Sequence, residues 1–217
     1  MRYLNKIVFI NSAAIRYSEV QLDGNIHLIG TQGVGKSTIL RAILFFYNAD
    51  TQRLGIPVEK KSYQDYYFPY ADSSIIYEVA REDGWFTVLS YKTMNRICYR
   101  FIASPYRPDL FIDEEGAPYP SDRIRSVLDK NGIKYSGAIS TYEEYRNILY
   151  GNSDNKRDYS CYSLMESGSY QNIIRTIQNV LLNSRLEADY IKQTIITSLN
   201  EADSVIDLSR YRSHLSG

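Results

Sequence analysis

The residues of the chain that are best suited to chemistry form a short glycine-rich segment. Residues 30–37 run Gly-Thr-Gln-Gly-Val-Gly-Lys-Ser and satisfy the pattern G-x4-G-K-[ST] of a phosphate-binding loop, or P-loop. Glycines allow backbone N–H groups to turn inward around a β-phosphate, at the start of a helix whose partial positive charge favours anions. In this pattern Lys36 reaches the β- and γ-phosphate oxygens, and the hydroxyl of Ser37 ligates Mg²⁺. The segment therefore predicts a site for a nucleoside triphosphate with Mg²⁺.

The elements on both sides of this loop are those that must position it. Residues 3–10 and 19–29 are rich in apolar and β-branched residues and are predicted to be strands, with a turn at residues 23–25. A helix is predicted from Ser37 to about Tyr47, because apolar residues recur there at helical spacing. The residues expected to contact the nucleotide are Gly30, Gln32, Gly33, Val34, Gly35, Lys36, Ser37 and Thr38.

The middle of the chain is predicted to be an antiparallel meander. Residues 48–73 are polar and rich in tyrosine, have few regular signals, and are predicted to form a surface excursion. The chain has 21 tyrosines in all, a residue that buries apolar area while keeping a polar tip. Beyond the excursion, short apolar segments alternate with turn residues. The strands predicted from this alternation are 74–80, 85–91, 96–103 and 109–113.

The remainder of the chain is predicted to be mainly helical. A short helix is expected at residues 121–130, with Ser121 as its N-cap, and another at 141–149, which begins with a capping-box spacing. Further on, apolar residues recur at helical spacing between 173 and 199. The apolar positions within 208–215 are spaced by three and four, which predicts the start of a coiled-coil seam.

The composition excludes several classes of protein. Apolar residues make up 44% and charged residues 23% of the 217, as in a globular domain and unlike a disordered or fibrous chain. The longest purely apolar run, 42–46, is far shorter than the roughly 20 residues that span a bilayer, so no membrane contact is predicted. The 25 basic and 25 acidic residues leave no net charge to attract nucleic acid. Two cysteines and two histidines are too few for a zinc or disulfide framework, and a reducing cytoplasm is expected.

The order of motifs around the P-loop narrows the class of nucleotide-binding protein. The loop follows two predicted strands, with Asn-Ser-Ala-Ala at 11–14 and Leu-Asp-Gly-Asn-Ile at 22–26, and Ile-Leu-Arg-Ala-Ile-Leu follows it at 39–44. A second stretch, Tyr-Ser-Leu-Met-Glu-Ser-Gly at 162–168, is similar to a Tyr-x-φ-φ-x-Gln-Gly segment. Together these motifs resemble the amino-terminal half of the ATP-binding-cassette (ABC) heads of the structural-maintenance-of-chromosomes (SMC) and RecF/MukB-like ATPases.

The resemblance implies both a fold and a function. The implied fold is α/β: a P-loop NTPase with an ABC-type head lobe, an antiparallel β meander, and carboxyl-terminal helices leading into a coiled coil. Residues 1–207 would be the amino-terminal lobe of the head, and 208–217 the start of the coiled-coil arm. The implied function is to bind ATP and Mg²⁺, engage a second head, and act on DNA in chromosome organisation, repair or anti-plasmid defence. The carboxyl-terminal half of the same head would supply the Walker B acid and the signature motif. The complete protein would then be an ATP hydrolase, and this chain alone would be inactive or nearly so.

The chain departs from the family pattern at two positions. The family has a cationic residue where this chain has Ala13, so Arg16 is the nearest candidate to contact the γ-phosphate. The glutamine of the family's Q-loop, a second contact to Mg²⁺, corresponds to Ser167, and Gln171 is nearby but out of register. Ser167 and Gln171 both remain candidates for the contact to Mg²⁺ that the family's glutamine makes.

Two other interpretations use the same P-loop. The first is a GTPase, because residues 113–116 (Asp-Glu-Glu-Gly) match D-x-x-G and residues 155–158 (Asn-Lys-Arg-Asp) match N-K-x-D in the right order. Against it, N-K-x-D must follow a buried strand, and the preceding residues 150–154 have turn composition. For Asp113 the simpler interpretation is the end of a hairpin, and the alternative is a metal-polarising role. The second interpretation is a free-standing nucleotide-binding module.

Overall fold

The fold comes from a computed structural model of the chain. It describes residues 2–22, 35–48, 62–94, 96–151 and 159–164. Several predicted features lie outside the described residues: most of the P-loop at 30–34, the N-K-x-D segment at 155–158, Ser167 and Gln171, the helices predicted between 173 and 199, and the coiled-coil start at 208–217.

A five-stranded antiparallel sheet lies at the centre of the described residues. Its strands are β1 (Tyr3–Ser12), β2 (Ile15–Gln21), β3 (Ser74–Arg81), β4 (Gly84–Thr93) and β5 (Arg96–Ile102). Their spatial order is β2-β1-β3-β4-β5, and each neighbouring pair is antiparallel. The predicted meander is confirmed as β3, β4 and β5. The β1–β2 hairpin joins the same sheet because β1 pairs with β3, for example Phe9 opposite Ile75.

Helices cover both faces of this sheet. They are α1 (Lys36–Asn48), α2 (Tyr63–Tyr67), α3 (Ser121–Lys130) and α4 (Tyr142–Leu149), and short 3-10 turns lie at Pro108–Leu110 and Ser160–Tyr162. The larger core cluster joins α1, α2 and α4 to one face, with Phe45 and Phe9 among its buried members. The smaller cluster joins α3 to the other face, with Leu128 and Ile76 among its members. Because both faces are covered, β3 is buried along almost its whole length.

Tyrosine hydroxyls attach α1 to the layer beneath it. Within the described residues, four buried tyrosines donate hydrogen bonds to backbone carbonyl oxygens of α1. The donors and acceptors are Tyr67 to Thr38 (2.7 Å), Tyr77 to Ala42 (3.0 Å), Tyr145 to Phe46 (2.5 Å) and Tyr150 to Tyr47. Burial raises the pKa of Tyr67, Tyr77 and Tyr145 above the ordinary tyrosine value, so these hydroxyls stay protonated donors at neutral pH. The helix is therefore fixed along its length by directional bonds as well as by apolar packing.

Two strand predictions differ from the structure. The strand predicted at 19–29 begins earlier, at Ile15, directly after the chain reverses at residues 13–14. Residues 23–29, with the turn predicted at 23–25, lie outside the described residues. The strand predicted at 109–113 is wrong: Pro108–Leu110 is a 3-10 turn, and Ile112 makes an isolated bridge to Pro118. Proline fixes φ and favours the start of such a turn over an extended strand.

The excursion predicted at 48–73 contains a helix where the sequence has few regular signals. Ser62 caps α2, with its Oγ accepting a hydrogen bond from the backbone N–H of Asp65 at 3.2 Å. Tyr63, Tyr67 and the following Phe68 are fully or almost fully buried in the larger core cluster. Tyr63, Tyr67 and Phe68 are therefore core residues, which corrects the predicted surface excursion for this part of 48–73, and residues 49–61 lie outside the described residues. The buried aromatic rings provide the packing that stabilises so short a helix.

The helices predicted at 121–130 and 141–149 are confirmed as α3 and α4. The side chain of Thr141 accepts a hydrogen bond from the backbone N–H of Glu144 at 3.2 Å, as the capping-box spacing predicts. In α3 the predicted N-cap is displaced by one residue. Pro120 occupies the N-cap position without a side-chain cap bond, and Ser121 is the first helical residue.

The attachment of α1 by tyrosines can be tested at its carboxyl end. We expect Tyr145→Phe to lower the free energy of unfolding by about 1–2 kcal/mol, because a buried carbonyl of the last turn loses its donor. Tyr142→Phe, on the same helix but 52% exposed, should change it by less than about 0.5 kcal/mol. Urea unfolding of both variants measures the difference, and equal effects would contradict a structural role for the Tyr145 hydroxyl.

Candidate functional site

The first turn of α1 has a backbone and charge arrangement that is compatible with an anion. Gly35, which precedes it, has a φ of 81°, a left-handed conformation that glycine adopts without strain. Its carbonyl accepts the backbone N–H of Ile39 at 3.0 Å, so the helix is regular from its first residue. The turn itself carries no acidic side chain that would repel a phosphate. Of the predicted site residues, Gly35, Lys36, Ser37 and Thr38 lie at this helix start, and Gly30, Gln32, Gly33 and Val34 lie outside the described residues.

Thr38 connects this turn to α2. It is 8% exposed, and its Oγ1 is hydrogen-bonded to the hydroxyl of Tyr66 at 2.9 Å. Its carbonyl oxygen accepts the hydroxyl of Tyr67 at 2.7 Å. The side-chain hydroxyl and the carbonyl of Thr38 therefore both contact α2, and a nucleotide would meet its backbone amide rather than a free side-chain hydroxyl.

The turn between β1 and β2 is a second unusual backbone feature. Asn11 and Ala13 have φ values of 44° and 54°, in the left-handed region that costs a non-glycine residue about 1–2 kcal/mol. The Nδ2 of Asn11 donates to Oδ2 of Asp72 at 2.9 Å, and the Oγ of Ser73 donates to the carbonyl of Asn11. These bonds from the segment before β3 hold the turn in its strained conformation.

Arg16 lies beside this turn, at the start of β2, and lines an open cleft. The cleft has a volume of about 450 Å³, and ligand pockets commonly span about 300–1,000 Å³. It is lined by Asn11, Ala13, Ala14, Ile15, Arg16, Tyr70 and Asp72. Arg16 is exposed, whereas Ala13, the position that is cationic in the resembled family, is partly buried against the larger core cluster. A long cationic side chain fits at Arg16 better than at that turn position.

Tyr67 joins the cleft to the start of α1. Its backbone carbonyl accepts the Oγ of Ser12 at 2.7 Å, and its hydroxyl donates to the carbonyl of Thr38 at 2.7 Å. The strained turn and the first turn of α1 are therefore held by one fully buried residue. Sequence patterns did not identify Tyr66 or Tyr67 as residues of the candidate site. The one feature of the sequence that could have indicated them is the concentration of tyrosines in the segment around them.

Asp113 lies away from this site. Its Oδ1 accepts the backbone N–H groups of Glu115 at 3.0 Å and Ala117 at 2.7 Å, inside a tight turn. The preceding Phe111 packs in the smaller core cluster, on the face of the sheet opposite α1. The turn expected beside Asp113 is present, although no strand ends there and the turn is closed by an isolated bridge between Ile112 and Pro118. A GTPase needs this carboxylate beside the phosphate loop, so the position of 113–116 does not support that interpretation.

The start of the Q-loop-like stretch is anchored in the fold. Tyr162 and Leu164 are buried, and the backbone N–H of Leu164 donates to the carbonyl of Leu149 at 2.7 Å. Nη1 of Arg81 donates to the carbonyls of Ser160 and Ser163 at 2.7 and 3.2 Å. Arg81 and α4 therefore anchor the described residues 160–164, and Ser167 and Gln171 lie outside the described residues.

Comparison with known proteins gives one family match. Residues 12–214 match the family model described as "Protein of unknown function (DUF3584)". No curated protein gives a significant match to the chain. None of the helices formed by the described residues has the length and apolar content that crossing a bilayer requires.

The role of Asp113 can be tested by substitution. We expect Asp113→Ala to lower the free energy of unfolding by about 1 kcal/mol, because two backbone N–H groups of the turn lose their acceptor. Nucleoside-triphosphate affinity, measured by calorimetry, should be unchanged. The exposed neighbour Glu114→Ala is the control and should change neither quantity. Loss of nucleotide binding in Asp113→Ala alone would place this carboxylate in the nucleotide site.

Proposed function

The chain belongs to the DUF3584 family, and we propose that it is the ATP-binding amino-terminal half of an SMC/MukB-like ATPase head. The observation that carries the proposal is the junction at Tyr67, which holds the first turn of α1 against the turn beside Arg16. These are the two parts of the chain to which the P-loop pattern and the family resemblance assign the phosphates. Their attachment to one buried residue supports a single, preorganised anion site.

Each part of this site has a chemical task in the proposal. The backbone amides from Gly30 to Thr38 surround the phosphates, because the first N–H groups of a helix lack intrahelical acceptors. Lys36 neutralises the β- and γ-phosphate oxygens, Ser37 ligates Mg²⁺, and Arg16 approaches the γ-phosphate from the cleft. The absence of carboxylates from the first turn of α1 fits an anionic ligand. Bound ATP with Mg²⁺ supplies the charge that a second head would recognise.

The remaining parts of the head are assigned to other chains or segments. Parallel strands form the central sheet of a typical P-loop protein, and the sheet of the described residues is antiparallel throughout. In the proposal, this sheet is the antiparallel part of the head lobe. A carboxyl-terminal half would then complete the core and bring the Walker B acid and signature motif, with DNA as a partner of the full protein. We therefore expect ATP hydrolysis by this chain alone to be close to background.

The first test of the proposal is the P-loop lysine. We expect Lys36→Ala to abolish ATP binding, measured by calorimetry, because the lysine supplies a charge-assisted contact to the phosphates. Its midpoint of thermal unfolding should stay close to that of the unsubstituted chain. The matched control is Lys134→Ala, which removes an exposed lysine elsewhere and should leave ATP affinity unchanged. Unaltered ATP affinity in Lys36→Ala would overturn the P-loop assignment. Tighter binding of GTP than ATP by the unsubstituted chain would favour the GTPase interpretation.

The second test separates the γ-phosphate from the rest of the nucleotide. We expect Arg16→Ala to weaken ATP binding about tenfold and ADP binding by less than about twofold, because Arg16 is assigned to the γ-phosphate alone. Arg123→Ala removes an exposed arginine of α3, on the other face of the sheet, and should affect neither nucleotide. If Arg16→Ala weakened ATP and ADP binding equally, the assignment of Arg16 to the γ-phosphate would be wrong.

A further inference from the structure

We propose that Tyr67 is the positioning residue of the phosphate site, setting the first turn of α1 against the Arg16-bearing turn through its two hydrogen bonds. The proposal rests on the proposed function, since it concerns how a nucleotide is held at α1. It assigns to α2 a task that neither the P-loop pattern nor the family match contains.

The geometry of Tyr67 is suited to this task because both ends of the residue are engaged. Its carbonyl accepts the Oγ of Ser12 at 2.7 Å, and its hydroxyl donates to the carbonyl of Thr38 at 2.7 Å. Its ring is fully buried and stacks on Tyr63 with ring centroids 4.3 Å apart. A tyrosine fixed at its backbone, its ring and its hydroxyl acts as a rigid spacer between two backbone segments.

The bond from Tyr67 to Thr38 matters for an anion because of where Thr38 lies in the helix. Thr38 lies in the first turn of α1, where backbone N–H groups point out of the helix end toward a ligand. Its carbonyl also accepts an amide in the next turn of the helix, so a bond to that oxygen fixes the rotation and axial position of the helix start. Binding groups must be held within about 0.5 Å of their productive geometry. Tyr66, bonded to Oγ1 of Thr38 at 2.9 Å, adds a second restraint on the same residue.

Tyr77 provides a matched comparison on the same helix. Its buried hydroxyl donates to the carbonyl of Ala42 at 3.0 Å, one turn further from the P-loop. Tyr67→Phe and Tyr77→Phe therefore remove the same chemical group, each from a bond to an α1 carbonyl. They differ in their distance from the phosphate site. A purely structural role predicts equal effects on stability and binding for the two variants, and a positioning role does not.

The experiment compares these variants in the full 217-residue chain by calorimetry with ATP and ADP, together with thermal unfolding without nucleotide. We expect Tyr67→Phe to weaken both nucleotides about three- to tenfold, because the amides around the β-phosphate move. Tyr77→Phe should lose similar stability but change either affinity by less than about twofold. Tyr66→Phe removes only the bond from the partly buried Tyr66 to Oγ1 of Thr38. It therefore provides a second variant for the test if Tyr67→Phe does not fold. It should weaken both nucleotides about two- to threefold.

Three outcomes would overturn the inference, and they are distinguishable from failure of the proposed function. If the unsubstituted chain binds no nucleotide, the proposed function itself is wrong, and the inference about Tyr67 is wrong with it. If it binds ATP and Tyr67→Phe binds equally well, Tyr67 is a structural residue alone. Equal weakening in Tyr67→Phe and Tyr77→Phe would mean that general loosening of α1, not its first turn, controls affinity. If Tyr67→Phe does not fold, unaltered affinity in Tyr66→Phe would overturn it.

Discussion

The described structure depends on one constraint: α1 must be held at a fixed position over the sheet. Apolar packing alone resists separation of a helix from a sheet but resists sliding and rotation less, because dispersion contacts are not directional. Buried hydroxyls that donate to helix carbonyls are directional, and each is costly to leave unpaired. The carbonyls of Phe46 and Tyr47 lie in the last turn of α1, which has no intrahelical amide for them, so Tyr145 and Tyr150 also cap that end. The tyrosines of this chain thus perform a task that phenylalanine could not.

The sheet provides the fixed base for these donors through the pairing of β1 with β3. This pairing joins strands that lie before and after the P-loop in sequence, so β2, the loop and α1 belong to the connection between two strands that are paired in the sheet. A buried carboxylate reinforces the junction. Glu78 on β3 accepts the Nδ2 of Asn5 and the backbone N–H of Tyr106, both at 2.7 Å. Asn5 lies at the register shift between Leu4 and Lys6 in the β1–β3 pairing. Its side-chain bond to Glu78 therefore links the two strands at the point where their backbone pairing is irregular. A buried polar group is tolerated in a core when its hydrogen bonds are satisfied in this way.

Sequence patterns identified the elements whose signals are local. The meander and the two helices α3 and α4 follow from alternation, turn residues and caps within a few positions of one another. The hydroxyl bonds of α1 join residues 29 to 103 positions apart, and no window of sequence contains both partners. The β1–β2 reversal agrees with the turn that the family resemblance implies at residues 11–14, but local residue types alone do not predict it. It uses Asn11 and Ala13 at positive φ, where the expected signal is glycine, and its conformation is imposed by Asp72 and Ser73. Likewise, α2 is stabilised by burial of its aromatic rings and not by helical periodicity.

The balance of charge explains why preorganisation matters in this chain. Twenty-five basic and 25 acidic residues give no net charge to concentrate an anion, so in the proposed site attraction to phosphate would have to come from a few local groups. The local groups available are the start of α1 and Arg16 at the cleft, and their separate contributions add only if both reach the same ligand. Each is carried by a backbone segment that would be mobile in isolation: a helix end and a strained two-residue turn. Because Tyr67 bonds to both segments, the order that a ligand of the proposed site would otherwise impose is built in when the protein folds, and binding there would avoid that entropic cost.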